Sequence, residues 1–334
     1  MTSKIFQQIL EHIEKTNNND AIILCNDREL PIDRTIFEDK FTTPKENAQI
    51  AFVDGGNAEI ISAPNFSLQF IRVYASIFKN NKRIKNELHE FYVIAATATK
   101  NGKIIYETKT FNSEFDITHE FEIKDETIAS GTHNASPAKI AETARKFAEL
   151  KTAAELTKQL NQGDMMVCDG ELFSQTTFEQ QYLDELFSAA RNKNITVCGF
   201  SKTTTLLTDA GNPATIVLGR LSEEIKKPVW AYFPSQQNEI KTGFLKLSPL
   251  TKYIFRADIY NSPSIMETAS LLYNNSQDPA FIGYPYGLVD ADLRSHISKK
   301  ESQLLKLHFT TKTKDRLKIY SASIDSHDVL NLLH

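Results

Sequence analysis

Two apolar runs in the sequence each end in an aspartate that is followed directly by glycine. They are residues 50–54 and 165–169. A buried strand that ends in a carboxylate and then a sharp turn presents that carboxylate at the edge of a sheet, where a metal ion or a substrate can reach it. Because the pattern occurs twice, it predicts two strand ends that converge on one acidic site. The alternative interpretation is that Asp-Gly after a strand is simply a turn.

The N-terminal part of the chain has the pattern of a helix followed by an antiparallel meander. Apolar residues at helical spacing predict a helix over residues 2–16. The dipeptide Asn101-Gly102 favours a tight hairpin between two of the strands. Residues 79–86 are expected to form a basic polar loop, and residues 114–126 to cross the sheet edge. β-branched and aromatic residues predict strands at residues 50–54, 67–78, 90–100 and 103–110.

The rest of the chain alternates between helix and strand patterns. A long helix is predicted over residues 137–162, since Pro137 suits a first turn and Gly163 a helix end. The pattern then predicts a strand ending at Asp169, a helix at 178–192, strands at 195–200, 229–233 and 253–258, helices at 264–274 and 288–296, and a basic strand at 312–321.

A meander followed by a β-α-β unit predicts an α/β fold in which helices pack on a mixed sheet. We expect an N-terminal helical or extended segment over residues 1–40. The remaining residues, 41–334, are expected to form one catalytic domain with C-terminal elaborations.

Composition narrows the class of protein. The chain has 334 residues, 41% hydrophobic and 24% charged, which is typical of a globular protein. Its net charge of -4 argues against a broadly basic nucleic-acid coat, although a local basic channel stays compatible with it. The three cysteines follow no metal-ligand spacing, and no apolar stretch is long enough to span a bilayer. We therefore expect a cytoplasmic protein that does not bind membranes.

Five short segments carry a family resemblance. They are Val-Asp-Gly at 53–55, Val-Cys-Asp-Gly-Glu-Leu at 167–172, Gly-Phe-Ser-Lys-Thr-Thr at 199–204, Phe-Arg-Ala-Asp at 255–258 and Gly-Tyr-Pro-Tyr-Gly-Leu at 283–288. In this order they resemble the motifs of the NurA nucleases. These are archaeal and bacterial enzymes that process DNA ends alongside a hexameric ATPase of the HerA type. The resemblance extends from about residue 48 to 300.

The resemblance implies a ribonuclease-H-like fold and a metal-dependent deoxyribonuclease. It implies a 5′-to-3′ exonuclease with single-strand endonuclease activity that uses Mn²⁺, with Mg²⁺ also possible. The implied role is DNA end resection and repair, by a homodimer that docks on the HerA-type translocase. DNA ends and single-stranded DNA are the implied substrates.

The resemblance also implies the residues of the site. Asp54 and Asp169 match the metal-binding aspartates of the family. The third carboxylate of the family lies on the helix before the second aspartate strand, where Glu149 is the best match. Glu142 and Glu155 lie within two turns of Glu149 and stay open as alternatives.

The last motif is where the chain departs from the family pattern. Tyr284 matches the tyrosine of the family, but the residue eight positions later is Asp292, where the family has histidine. Either Asp292 is a metal ligand itself, or His296 takes the role from one helical turn further on, or part of the site has been lost. Lys202 follows a buried strand and is a candidate to contact phosphate or the carboxylates.

Several basic residues are candidates for contact with DNA. Arg256 lies in an apolar strand and needs an acidic partner if it is buried. Two further sets of basic residues could line a DNA path. The first set could instead be the solvated face of a strand, and consists of Lys312, Lys314, Arg316 and Lys318. The second set could instead be a hairpin turn, and consists of Lys79, Lys82, Arg83 and Lys85.

Three classes of function are compatible with the strand-end aspartates. The first is the metal-dependent DNA nuclease. The second is a catalytically impaired DNA-binding or adaptor subunit of the translocase complex, suggested by Asp292. The third, an actin-like ATP phosphotransferase, is disfavoured because the 12 glycines form no phosphate-binding loop.

Overall fold

A computed structural model describes residues 2–13, 20–25, 28–43, 48–129, 131, 133–234 and 239–313. The strands are β1 Ile22–Cys25, β2 Arg28–Pro31, β3 Gln49–Ala63, β4 Phe66–Lys79, β5 Lys82–Lys100, β6 Lys103–Phe111, β7 Glu120–Glu122, β8 Met165–Asp169, β9 Thr196–Ser201, β10 Leu207–Thr208, β11 Trp230–Tyr232, β12 Ile240–Lys246 and β13 Phe255–Tyr260. The helices are α1 Thr2–Ile13, α2 Pro137–Gln159, α3 Glu179–Lys193, α4 Ala214–Glu224, α5 Ile265–Asn275, α6 Tyr286–Ser295 and α7 Lys299–Thr313, with a short 3-10 turn at Arg34–Ile36.

The chain divides into two compact units. The first contains Met1–Lys45, Asp169–Glu171 and Cys198–Tyr286, and the second contains Glu46–Cys168, Leu172–Val197 and Gly287–His334. Strands β8 and β9 have residues in both units.

The second unit contains a mixed sheet with the strand order β8-β3-β4-β5-β6-β7. Strands β3 and β8 pair in parallel, while β3 to β7 form an antiparallel meander. Helix α2 packs on β3, β4 and β5, and α3 packs on α2. Helix α2 begins at Pro137 and presents Ile140, Ala144 and Phe147, all fully buried, to this core. These elements confirm the predicted mixed sheet with helices packed on it.

The hairpin between β5 and β6 confirms the turn predicted at Asn101-Gly102. Lys100 pairs with Lys103, and both turn residues have positive φ, 51° and 74°. The basic loop predicted over residues 79–86 is wrong, because β4 and β5 meet at a two-residue turn, Asn80-Asn81, with φ of 50° and 58°. Asparagine tolerates the left-handed conformation, so an Asn-Asn pair closes a tight hairpin as Asn-Gly does.

The first unit contains a sheet with the order β11-β12-β13-β9 and a small sheet with the order β10-β1-β2. Its core includes Phe37, whose ring lies 4.9 Å from that of Trp230 and 4.7 Å from that of Tyr232. Strand β12, helix α4 and the small sheet were not predicted. Each of these elements is short, so its sequence pattern is weak. The strands among them are stabilised by pairing with strands distant in sequence, which a local pattern does not show.

The C-terminal part differs from its prediction. Lys312 and Thr313 belong to helix α7 and not to a strand, whereas residues 314–321 lie outside the described residues, with Lys314, Arg316 and Lys318 among them. Leu305 and Phe309 are four residues apart and pack on one apolar cluster beside Ile297. This helical spacing favours a helix up to Thr313, the last residue of α7 that the structure describes.

The N-terminal helix leaves an apolar face open. In α1, the side chains of Ile5, Phe6, Ile9 and Leu10 are each about half exposed, between 48% and 60%. Residues 14–16 of the predicted helix lie outside the described residues. Among the described helices, none is long and apolar enough to cross a membrane.

Candidate active site

The two aspartates follow a pair of strand residues that are in register. Val53 of β3 pairs with Cys168 of β8, and this is the last pair of their parallel ladder. Asp54 and Asp169 are the next residues along the two strands. Asp54 is 5% exposed. The two apolar runs therefore lie in neighbouring strands of one sheet, and the convergence of the two aspartates on one acidic site stays a prediction.

The surroundings of Asp54 differ from the prediction in one respect. Strand β3 does not end at Asp54, because Gly55 and Gly56 stay paired with β4. A Cβ on Gly56 would lie 2.3 Å from the carbonyl oxygen of Ser295 at the end of α6. Glycine is needed here for a close approach of another element and not for a turn. At the second aspartate the prediction of a turn is confirmed, since Gly170 has a φ of 93°.

Glu149 lies against the residue that follows Asp54. It is 4% exposed, and a Cβ on Gly55 would lie 2.5 Å from its Oε1 atom. Arg145 donates to Glu149 and, at 3.0 Å, to the carbonyl oxygen of Gly55. The Lys146 amine lies 3.8 Å from Glu149. Burial lowers the pKa of Lys146, but Glu149 and other acidic neighbours outweigh it, so that the pKa is raised overall.

The two alternative carboxylates on α2 have different surroundings. Glu142 and Glu155 are both exposed, and Glu155 forms an ion pair of 2.6 Å with Lys158. Of the three candidates, Glu149 is the buried one. Its burial and its place against Gly55 are the reasons to keep Glu149 as the choice.

Three candidates come together in the first unit. The Lys202 amine lies 3.5 Å from Oδ2 of Asp169 and 6.0 Å from the ring centre of Tyr284. Lys202 is 38% and Asp169 27% exposed in their side chains. Tyr284 is buried and stacks on Phe281, with the ring centres 5.0 Å apart. The cation therefore lies between a carboxylate and an aromatic ring, with part of it open to solvent.

The residues considered for the missing histidine lie on the open side of α6. Asp292 is exposed, and its backbone carbonyl accepts the N–H of His296 at 3.0 Å. His296 follows the last residue of the helix and is exposed as well. Both residues stay candidates for the role of the family's histidine, because both side chains are exposed.

The buried acid of α6 is a residue that the sequence analysis did not select. Asp290 is 6% exposed and accepts two bonds from Arg83, at 2.8 and 2.9 Å, and one from Arg294 at 2.8 Å. The Tyr74 hydroxyl lies 3.4 Å from Asp290. Burial, and then the charge of Asp290, raises the pKa of Tyr74. The only sequence signal was that residue 290 falls near the apolar side of the helix, between Leu288 and Ala291.

Asp290 and Asp54 belong to the same side of the sheet. Tyr74 is the cross-strand partner of Asp54, and directly paired residues project from the same face. Phe52, two residues before Asp54, lies against α6, since a Cβ on Gly287 would be 2.0 Å from its ring. Helix α6 therefore covers the face of β3 that carries Asp54.

Arg83 belongs to one of the basic sets proposed for DNA contact. Its guanidinium is bound to Asp290, so its charge is compensated inside the protein. Lys85 forms an ion pair of 2.7 Å with Glu87. These pairs fit the alternative interpretation of this set, a charged hairpin, for two of its four members.

The donor chemistry of Asp54, Asp169 and Glu149 suits a hard divalent cation, which prefers carboxylate oxygens. Within the described residues, no three acidic, histidine or cysteine side chains lie close enough together to hold a metal ion. In this arrangement, cations of the protein balance the charge of Glu149 through Arg145 and that of Asp169 through Lys202.

No protein-family model matches the chain, and no curated protein matches it. Among solved structures, the NurA nuclease from Sulfolobus solfataricus matches with a TM-score of 0.54 and 12% identity, covering 95% of each chain. Endonuclease V from Ciona intestinalis, in complex with a DNA containing inosine, has a TM-score of 0.41 and 13% identity, over 78% of this chain and 87% of its own. The chain therefore has the fold of the NurA nuclease, a ribonuclease-H-like mixed sheet with flanking helices.

Proposed function

We propose that this protein is a DNA nuclease that hydrolyses phosphodiester bonds with a divalent metal ion. One observation carries the proposal. The chain shares the fold of a NurA nuclease over 95% of both chains. In this fold, Asp54 and Asp169 directly follow Val53 and Cys168, the last residues that pair between the parallel strands β3 and β8. Aspartates at such positions suit the binding of hard cations, and hard cations suit phosphodiester hydrolysis.

Asp54, Glu149 and Asp169 are the proposed metal ligands, with Asp292 as a further candidate. The bound ion, Mn²⁺ or Mg²⁺, would supply activation of the attacking water and stabilisation of the departing oxygen. Lys202 is partly open to solvent and lies 3.5 Å from Asp169, which suits it to contact a substrate phosphate. The ring of Tyr284 would hold the Lys202 amine in place through a cation–π contact.

The finer activity that we propose follows the family resemblance. It is a 5′-to-3′ exonuclease with single-strand endonuclease activity that uses Mn²⁺ and acts in DNA end resection and repair in the cytoplasm. The proposed partners are a HerA-type hexameric ATPase and a second copy of this chain. The half-exposed apolar face of α1 supports a contact with a protein partner, since four large apolar side chains lie open there.

Substitution of Asp54 tests the nuclease proposal. We expect purified protein to digest linear DNA with Mn²⁺, and Asp54→Asn to lose at least about 100-fold of this activity, because the amide is a poor ligand for the cation. Asp184→Asn is the matched control, since Asp184 is an exposed aspartate of α3. Gel assays on linear and circular substrates measure the outcome. An Asp54→Asn protein with full activity would overturn the proposal.

The adaptor function is the second candidate, and a specific observation favours it. Glu149 is already compensated by Arg145 and Lys146, and Asp292 stands where the family has a histidine. The adaptor would bind single-stranded DNA or the ATPase without cleavage. In the same preparations, DNA binding by the wild-type protein with no cleavage in Mn²⁺ or Mg²⁺ would identify the adaptor.

A further inference from the structure

One edge of strand β5 lacks a strand partner over part of its length. Strand β5 pairs with β4 over residues 82–96, but with β6 only over residues 92–100. Among the residues that the structure describes, no strand pairs with this second edge at residues 82–91. A free edge carries a row of unpaired backbone N–H and C=O groups, which can accept a further strand.

The turn after β6 covers the end of this edge that is nearest to β6. The side-chain amide of Asn112 donates to the carbonyl oxygen of Glu90 at 3.4 Å. The carboxylate of Glu114 lies 3.6 Å from Nδ1 of His89. These contacts occupy the strand at residues 89 and 90. Residues 82–88 therefore form the open edge of β5.

Two large apolar side chains lie exposed on the open edge. Ile84 is 55% exposed and Leu88 is 52% exposed. A strand that is added to a sheet is held by main-chain hydrogen bonds, and side chains beside them supply further contacts. Large apolar side chains next to unpaired backbone groups therefore favour the addition of a strand that covers them.

The residues between these two side chains form a pattern that is complementary to itself. Lys85 and Glu87 stand on the two sides of Asn86. If two open edges pair antiparallel with Asn86 opposite Asn86, Lys85 of each copy lies opposite Glu87 of the other. In the same register, Ile84 of each copy lies opposite Leu88 of the other. A pair centred on residue 85 or 87 would instead place two like charges opposite each other, which is destabilising.

Both charged side chains of this pattern reach solvent. Lys85 is 46% and Glu87 26% exposed, and they form an ion pair of 2.7 Å within the strand. In the antiparallel pair each would gain a second neighbour of opposite charge, because four charges then alternate around the two-fold axis. Pairing with β4 is regular at residues 85–87 and skips Ile84. Such an irregularity increases the twist of a strand, which limits the joined ladder to its central residues.

We propose that a second copy of this chain pairs with the open edge through its own open edge, antiparallel and with Asn86 at the two-fold axis. The inference rests on the second copy proposed above as a partner, and it assigns that partner a surface. The pairing uses the same edge of both copies, so it closes at two. Asp54, Tyr74 and Leu88 are successive cross-strand partners, so the faces that carry Asp54 lie on one side of the joined sheet.

Sedimentation velocity of the full chain at a series of concentrations tests this inference through an exchange of charges. The variants are Lys85→Glu, Glu87→Lys and the double variant that carries both changes, and thermal melting checks that each is folded. Glu107→Lys is the matched control. Glu107 is an exposed glutamate of β6, where that strand is paired on both edges, with Ala96 and with Glu120.

We expect the wild type to be a dimer, and each single variant to raise the dimer dissociation constant by about tenfold or more, because both symmetric contacts become like-charged. The double variant restores opposite charges and is expected to dimerise as the wild type and Glu107→Lys do. A monomeric wild type would overturn the inference. So would single variants that dimerise at wild-type affinity, or a double variant that stays dissociated.

Asn86→Cys gives a second measurement that does not depend on charge. We expect this variant to form a disulfide-linked dimer on oxidation, since directly paired Cα atoms lie about 4.5–5.5 Å apart. The native cysteines are buried. Failure of Asn86→Cys to form this link would overturn the inference. DNA cleavage by a monomeric wild type would overturn it and leave the nuclease proposal standing, whereas a dimer linked at residue 86 that cleaves no DNA would support it and count against the nuclease.

Discussion

Gly55 shows how one absent side chain shapes the surroundings of Asp54. A Cβ at this position would lie 2.5 Å from the Oε1 atom of Glu149 and 3.0 Å from Cγ of Arg145. Real Cβ atoms do not approach oxygen so closely, so the glutamate would have to move. At the residue scale, the glycine after Asp54 is therefore explained by a carboxylate that needs the space, and not by the turn that the sequence pattern suggested.

Gly55→Ala is predicted to impair catalysis more than folding. The added methyl group displaces the Glu149 carboxylate by about 1 Å, a shift that can cost about 100-fold in rate. Nuclease assays and thermal melting measure the two effects. Gly219→Ala is the control, because its Cβ meets only the flexible end of Ile254, at 3.1 Å. Equal activity of Gly55→Ala and wild type would contradict the role given to Glu149.

Helix α3 begins in an aromatic cluster that contains a histidine. Phe178, the residue before the helix, has a φ of 71° and stacks on His119 with the ring centres 4.4 Å apart. The Tyr182 hydroxyl lies 2.6 Å from Nε2 of His119. Burial raises the pKa of Tyr182 to about 12, so its hydroxyl stays protonated. At the element scale, α3 is attached to β7 and α2 through stacked rings and one hydrogen bond.

The stability of this cluster is predicted to depend on pH. Burial lowers the pKa of His119 below its usual value of 6.5. The unfolded chain therefore binds a proton at a higher pH than the folded chain does. The neutral His119 ring therefore contributes fully to the free energy of unfolding above pH 6.5. This contribution is lost as the pH falls from 6.5 through the lowered pKa of the folded state.

Urea unfolding at a series of pH values between 7.5 and 5 measures this effect. We expect the free energy of unfolding of the wild type to fall below pH 6.5, and that of His119→Gln to fall less. His133→Gln is the control for removal of an exposed histidine. A His119→Gln protein with an unchanged pH profile would show that His119 does not contribute.

At the scale of the whole molecule, the candidate residues are divided between the two compact units. Asp54, Glu149 and Asp292 belong to the second unit, whereas Asp169, Lys202 and Tyr284 belong to the first. Cations accompany the carboxylates in both: the partly buried Arg145 and Lys146 beside Glu149, and the buried Arg256 beside Glu171. Such pairing offsets the free-energy cost of keeping a charged carboxylate inside the protein.

A divalent ion that binds only the folded protein is predicted to stabilise it. At an ion concentration of about 100 times the dissociation constant, the free energy of unfolding rises by about 2.7 kcal/mol. We expect Mn²⁺ to raise the melting temperature of the wild type, and to raise that of Asp54→Asn much less. Scanning calorimetry with Mn²⁺ and with Ca²⁺ as the comparison ion measures this. An equal rise in both proteins would show that Asp54 is not a ligand.

The sequence by itself determined the elements whose patterns are local. The apolar runs that end at Asp54 and Asp169, the Asn101-Gly102 hairpin and the long helix after Pro137 all follow from short-range periodicity and turn chemistry. These elements were enough to predict a mixed sheet with flanking helices. The ordered motifs added the resemblance to NurA nucleases, with which the fold agrees.

The tertiary structure alone decided which acids are buried and what they contact. Asp290 is enclosed whereas Asp292 is open, although both lie on one short helix, because the packing of α6 on β3 selects the covered side. The continuation of β3 beyond Asp54 and the helix at Lys312 were likewise settled by partners distant in sequence. Burial and charge compensation depend on long-range packing, which local periodicity does not encode.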